Sequence, residues 1–331
     1  MLGLGFLAAA SVTAATVWRL NHAPPGAEGL STRRPHSESV TKPAASAAPG
    51  SQGPSVELAF DWPTGELGKL ELTQVRERTG VAPVKATVRY DVHVAETGKG
   101  RLRISYENPV PVSSANQPKP QPLDLINPAL IVSEKGELLQ VDGQAELIKK
   151  MAATVKGTPG APPQDQLSLL LAAVIQARAH NGWDSLVTSW AGSDLPLKGT
   201  VPMIMSDLSP VPEAPPLKIA TKVRTKGMVP CSTRKGAPTC LSIETTGTPD
   251  EASTRVLAQA LRQQMGAPGA SLDFKSLEIR VKLLTEPGTL LPHRHELERE
   301  FTVQVAQGGE QQTIRQTERQ VQEFTYTERQ R

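Results

Sequence analysis

The sequence predicts an α+β protein: a large curved antiparallel sheet, half-barrel-like, covered by a few amphipathic helices. Three observations predict it. Long runs with period-two alternation occupy both ends of the folded part. Helical spacing replaces that alternation in the middle of the chain. Turn chemistry separates neighbouring alternating runs, so consecutive strands read as hairpins. Strands at both ends with helices between them give one sheet with its helices on a face. A sheet this wide curls because its strands twist.

The elements follow in order. In Lys69–Val75, Leu70 and Leu72 mark one face and charged residues the other. In Val84–Val94, the side chains of Val88, Tyr90, Val92 and Val94 share a side, and Leu102, Ile104 and Tyr106 repeat this in Arg101–Tyr106. One apolar face at period two marks a half-buried antiparallel strand. Glu96–Gly100 between these runs is hairpin chemistry. Ala129–Ser133 and Glu137–Val141, joined by Glu134-Lys135-Gly136, read as another hairpin.

The period then changes, in a helical insertion around residues 144–192. Gln144–Lys156 is compatible with a short helix. Gln164–His180 is a stronger one, with Leu167, Leu170, Leu171, Val174 and Ile175 at helical spacing. Pro163 suits its start and Asn181-Gly182 its stop. Trp183–Trp190 reads as a further helical turn or two. Leu217–Val229 and Leu241–Thr246 are strand-like, and Glu251–Met265 is a third helix that follows Thr248-Pro249-Asp250. Asp184, Asp207 and Asp250 read as turn or cap residues, and His180 as a partner of the helix dipole. Ser271–Leu284 and Glu296–Val305 are long strands. Gln311–Thr327 is so polar that it reads as an edge strand, or one wet on both faces; a polar helix is the alternative.

Ahead of this domain, residues 55–331, lie two different segments. Residues 1–20 read as a signal anchor or signal peptide, because Leu2–Trp18 carries no charge. Residues 21–54 read as a disordered Pro/Ala/Ser linker, since they have too little apolar surface to offset the entropy of ordering. Anchor, tether and domain together predict a protein held at the bacterial inner membrane with its domain in the periplasm, or released there after cleavage. Contact with the membrane runs through the N-terminal segment.

The chemistry is sparse. Lys and Arg total 36 against 33 Asp and Glu, a net charge of +3, which gives no broad basic field for nucleic acid. The two cysteines flank a polar turn between strand-like runs, so Cys231 and Cys240 read as a structural disulfide, which fits an oxidising compartment. A metal site there would have two thiols and no histidine between them, too few ligands. His293 and His295 are weak metal candidates: on a strand both point one way, but the pattern supplies no third ligand, and a solvated strand start accounts for them. Lys222, Arg224 and Lys226 alternate onto one strand face: a solvated face is the plain reading, and contact with an acidic partner or an anionic surface the functional one. Leu167, Leu170, Leu171, Val174, Trp183 and Trp190 are candidates for lining a ligand pocket, with core packing as the other reading of the tryptophans. No catalytic motif and no cofactor site is read.

Three stretches carry a family resemblance: the strand pair after Val84, the strand–turn–strand Ile131–Leu138, and the turn Leu284–Pro292 with the strand His293–Val305 that follows it. They resemble uncharacterised exported bacterial proteins whose curved sheet is similar to that of the outer-membrane lipoprotein carrier and related lipid-binding lipoproteins. The resemblance implies an incurved sheet around helices and a hydrophobic cavity. The sequence departs from it in lacking a lipobox cysteine and in its Pro-rich segments 109–128 and 207–216. The expectation is a non-enzymatic, membrane-tethered periplasmic protein that binds a hydrophobic ligand (lipid or lipoprotein) or an envelope partner. A structural subunit of a trans-envelope assembly and a hydrolase using the His293/His295 region are the alternatives.

Overall fold

The computed structural model describes residues 53–112, 127–155, 163–209, 215–234, 236–265, 271–307 and 310–326. The expected anchor 1–20 and almost all of the linker 21–54 lie outside the described residues, as do 113–126 of the first Pro-rich segment and 210–214 of the second.

The strands are β1 (Ser55–Glu57), β2 (Gly65–Arg78), β3 (Val81–Glu96), β4 (Arg101–Pro111), β5 (Ala129–Ser133), β6 (Leu138–Asp142), β7 (Asp194–Pro196), β8 (Lys198–Asp207), β9 (Leu217–Pro230), β10 (Thr239–Pro249), β11 (Ser271–Thr285), β12 (Pro292–Gln307) and β13 (Glu310–Tyr326). The helices are α1 (Gln144–Val155), α2 (Gln164–Trp183) and α3 (Glu251–Met265), and a π-helical turn, Asp184–Thr188, continues α2. β1 pairs with β7; the other eleven strands form one antiparallel sheet in the order β6-β5-β4-β3-β2-β13-β12-β11-β10-β9-β8. The sheet is open, with β6 and β8 at its edges. Two runs of consecutive neighbours, β2 to β6 and β8 to β13, meet where β2 pairs with β13.

Alternation sets the faces. Along β9, Leu217, Ile219, Thr221, Val223 and Thr225 are buried, while Lys218, Lys222, Arg224 and Lys226 are exposed. Side chains at i and i+2 share a face, so register with β10 and β11 carries the inner row across the sheet through Thr245, Val281 and Leu297. That inner face holds two cores. In one, Leu167, Leu171 and Ile175 of α2, with Trp183 and Trp190, bury against Leu70, Leu72, Val88, Tyr90, Val92 and Ile104. In the other, Leu257, Ala258 and Leu261 of α3 bury against Ile219, Ile279, Val281, Leu297 and Phe301. Each large apolar side chain so buried contributes about 1.5–3 kcal/mol. Asp250 caps α3: its Oδ1 accepts the Ser253 N–H at 2.6 Å, and that bond holds the carboxyl below its ordinary pKa.

The outer face is a lattice of cross-strand ion pairs. Arg89 meets Glu71 at 2.9 Å, Arg294 meets Glu323 at 2.6 Å, Arg319 meets Glu296 at 2.6 Å and Arg280 meets Glu298 at 2.8 Å.

Several expectations are corrected. β13 is not an edge strand, nor a helix, but a central strand paired on both sides, with β12 and β2. Its polar side chains are placed by partners rather than by solvent: Arg319 and Glu323 join the outer lattice, while Gln316, buried, faces inward. The helical turn expected in Trp183–Trp190 is present as the π turn Asp184–Thr188, but it continues α2, which runs through Asn181-Gly182 instead of stopping there. β8 is a strand that the sequence reading lacked: its half-buried Val201, Met203 and Met205 alternate with exposed but also apolar Pro202 and Ile204, so the sequence shows no period-two contrast. His180 is half-buried and burial lowers its pKa, so it is poorly suited to act as a cationic dipole partner. Asp207 is no cap; it pairs with Arg299 at 3.1 Å.

Candidate functional site at the cysteine corner and the basic strand face

The β9–β10 hairpin brings Cys231 and Cys240 together. The register runs Val229 to Cys240 and Pro230 to Thr239, and the Cys231 N–H donates to Pro238 O at 2.9 Å. The two sulfurs lie at disulfide distance with Cα atoms 5.0 Å apart, and both residues are buried. The expected pairing is therefore present.

Against this hairpin lies the turn between β11 and β12. Leu290, at φ 53°, takes the left-handed conformation and is fully buried; its carbonyl accepts the Trp62 indole N–H at 3.2 Å. A non-glycine residue held there needs surrounding structure to hold it. The Leu290 N–H donates to Glu286 O at 2.8 Å and the Glu286 N–H to Leu291 O at 3.0 Å. This pinned turn fixes Glu286 at one end and His293 just past the other. A carboxylate only accepts, so the His293 Nε2–H donates to Glu286 Oε1, at 2.9 Å. The Tyr326 ring meets the imidazole edge-on at 5.0 Å, and its hydroxyl donates to Pro292 O. One ring nitrogen of His293 and both cysteine sulfurs lie within 4.8 Å of one another.

His293 and His295 do share a strand face, but it is the inner one. The solvated strand start expected for them is overturned, since His295 is 1% exposed. Its Nδ1–H donates to Gln322 Oε1 at 3.1 Å, and Nε2 has no partner among the described residues. Burial pushes its pKa down to about 4, with the Arg299 charge adding to that. The two histidines thus have separate surroundings: one buried beside Gln322, the other beside the cysteines. Glu296 points to the outer face, into Arg294, Arg319 and Lys282, as expected. Sequence spacing missed this corner because its parts come from residues 231–240, 286–293 and 326, which the register of β10 to β13 brings together.

The second feature is the basic face. Lys198, Gly199, Thr200, Arg224, Thr225 and Lys226 line a surface groove of about 540 Å³. Lys222 lies two residues along the same exposed side of β9. Lys226 pairs with Glu244, but Lys198, Lys222 and Arg224 have no carboxylate within salt-bridge distance among the described residues. The register places Lys198 directly opposite Lys226 and Thr200 opposite Arg224. Like charges directly opposed on a sheet are destabilising.

The expected ligand-pocket residues are packed. Leu167, Leu171, Trp183 and Trp190 are buried in the first core, and Leu170 and Val174 are half-buried on α2. The Trp183 N–H donates to Gly136 O and the Trp190 N–H to Ser185 O, both at 2.8 Å. Trp183 also meets Trp62 at 5.4 Å and Phe60 at 5.9 Å, edge-on. Aromatic pairs in such geometry add to their burial.

The inner face also holds a polar cluster that the sequence did not signal. The Asn181 side chain bonds Leu208 at both its backbone groups, and Arg299 pairs with Asp207. Nearby, burial chiefly, and Asp207 in a lesser part, raise Asp184 to about 6. No protein-family model matches the chain, and a comparison with curated protein sequences finds no match.

Proposed function

We propose that this is a non-enzymatic, membrane-tethered protein of the cell envelope whose basic β8–β9 face docks an acidic segment of an envelope partner. The observation that carries the reading is the direct opposition of Lys198 and Lys226 in a groove that also holds Arg224, with Glu244 the one carboxylate paired with these cations among the described residues. An arrangement that costs stability in the free protein is relieved when an anionic group binds. The buried cysteine pair supports an oxidising compartment, and the uncharged stretch Leu2–Trp18 supports a tether to the inner membrane.

In this reading the sheet is half-barrel-like and its amphipathic helices are a packed filling, related in design to the lipid-binding lipoproteins. The buried, hydrogen-bonded tryptophans, Trp183 edge-on to Trp62, favour a partner protein over a stored lipid. Photo-crosslinking in cells from position 200, followed by mass spectrometry, tests it. The expected result is one acidic envelope protein, lost in a Lys198→Glu/Arg224→Glu variant. Unchanged crosslinks in that variant overturn the docking face, and lipid retained by the natively purified protein redirects the reading to a hydrophobic ligand.

A further inference from the structure

We propose that reduction of the Cys231–Cys240 pair converts this corner into a zinc site, with the two thiolates and His293 as ligands and Glu286 as their supporting carboxylate. The hairpin alone offers two ligands, too few for a structural zinc. The fold supplies the rest. A ring nitrogen of His293 lies within 4.8 Å of both sulfurs. Two thiolates on one tetrahedral zinc sit roughly 3.8 Å apart, given Zn–S bonds of about 2.3 Å. The sulfurs therefore need only part by side-chain rotation from a backbone already closed to 5.0 Å between Cα atoms.

The surroundings of His293 are those of a metal ligand. Its Nε2–H donates to Glu286 Oε1 at 2.9 Å. With Nδ1 on the metal, that bond fixes the tautomer and raises the basicity of the imidazole, as a carboxylate behind a zinc-bound histidine does. The fourth position of a tetrahedral zinc is left to a water, since the cluster of mutually close ligand atoms comprises Cys231, Cys240 and His293. The ring is also held edge-on by Tyr326, whose hydroxyl is tied to Pro292 O. Glu286 itself is fixed by the turn through Leu290 and Leu291.

The chemistry balances. A dithiol gives two electrons and two protons to the disulfide and becomes a disulfide itself; the S–S bond opens to two thiols. Zinc then displaces both thiol protons. In reverse, a disulfide oxidant takes two electrons from the thiolates, the S–S bond re-forms, and the zinc ion leaves. The corner is thus held together by one of two crosslinks. The disulfide closes only the β9–β10 hairpin; the metal would also tie it to β12.

This inference does not depend on the docking face. Its test uses the full chain in detergent, reduced with a phosphine that does not bind zinc and titrated with Zn²⁺ against a chromophoric chelator. Co²⁺ serves as a second probe through its thiolate charge-transfer absorption. The reduced protein is expected to take up one ion per chain and the oxidised protein none. His293→Ala is expected to weaken binding at least about tenfold and Glu286→Gln by roughly tenfold, in line with the effect of supporting partners. Both variants are first checked by circular dichroism in their oxidised form, where the disulfide still closes the hairpin. If His293→Ala cannot be folded, Glu286→Gln and the cobalt spectrum of the wild type decide. The proposal is overturned if the reduced protein takes up no ion, if it loses its sheet signal and Zn²⁺ does not restore it, or if the folded variants bind as tightly as the wild type.

Discussion

Arg299 of β12 and Asp207 of β8 form an ion pair at 3.1 Å although four strand places separate them. In a flat sheet four places span roughly 19 Å, more than the two side chains reach together. The sheet therefore bends inward between β12 and β8, and this pair closes the bend. Asn181 of α2, bonded to both backbone groups of Leu208, holds the same end of β8 from the helix side.

The first prediction concerns this pair. Both side chains are partly exposed, 29% and 20%, so solvent screens much of their attraction. A double-mutant cycle with Arg299→Ala and Asp207→Ala is expected to give a coupling of about 0.5–1 kcal/mol. Hydrogen exchange is expected to accelerate in β8 and to stay unchanged in β3. Equal acceleration in both would show that the pair does not govern the bend.

Buried His295 and half-buried Asp184 have opposite pH effects. His295 is depressed to about 4 in the folded state by burial, so the unfolded chain takes up its proton first as pH falls. Stability from His295 is complete above about pH 6.5 and falls by on the order of 3 kcal/mol on the way to pH 4. Lowered His180 acts in the same direction. Asp184 is raised to about 6, so the folded state takes up its proton first, and its contribution grows between pH 6 and pH 4. Urea denaturation from pH 7 to pH 4 should separate them: His295→Gln removes the acid loss and Asp184→Asn deepens it. Parallel profiles in both variants would contradict these assignments.

Along α2, Leu171 is buried and Leu169 is 66% exposed. If Leu171 is a core residue, Leu171→Ala costs about 2–5 kcal/mol and Leu169→Ala less than about 0.5 kcal/mol. Thermal denaturation reads the difference. A stable Leu171→Ala protein would instead indicate a lined cavity.

Gly68 sits at φ 153° where β2 crosses β13, and a Cβ there would lie 2.2 Å from Thr325 O and 2.8 Å from the Tyr326 Cα. Neither is a movable side-chain end. Gly68→Ala is expected to force the two strands apart and to cost at least about 2 kcal/mol, visible as a lowered melting temperature. An unchanged melting temperature would mean that the seam is more pliable than its packing implies.

On the basic face, Lys198→Glu replaces a like-charge opposition to Lys226 with an attraction. It is expected to raise stability by about 0.2–1 kcal/mol while abolishing the crosslinks proposed for the partner. A variant that loses both stability and partner would point to general disruption instead.

Much of the fold was legible where side chains alternate without ambiguity. Glu251–Met265 and Ala129–Ser133 were read to the residue, and β9 through its run of basic and apolar positions. The central place of β13 was hidden because its pairing partners, not its own residues, keep its glutamines and charges inside a sheet. β8 was hidden because an edge strand needs few buried side chains. The cysteine pair and the basic row were read from local spacing. The company that His293 keeps was not, since proximity across β10 to β13 leaves no trace in a single sequence.

The seam between β2 and β13 has a consequence for the order of assembly. Its partners, such as Leu70 and Phe324, are about 250 residues apart along the chain. Each half of the sheet can zip from local hairpins, but the halves join only when the final strand arrives, and contacts this distant form late and slowly. During that wait β2 presents an unpaired rim, which in an apolar strand would invite aggregation. The arriving strand β13 has only Ile314, Val321, Phe324 and Tyr326 as apolar side chains, a sequence that stays in solution until it pairs with β2.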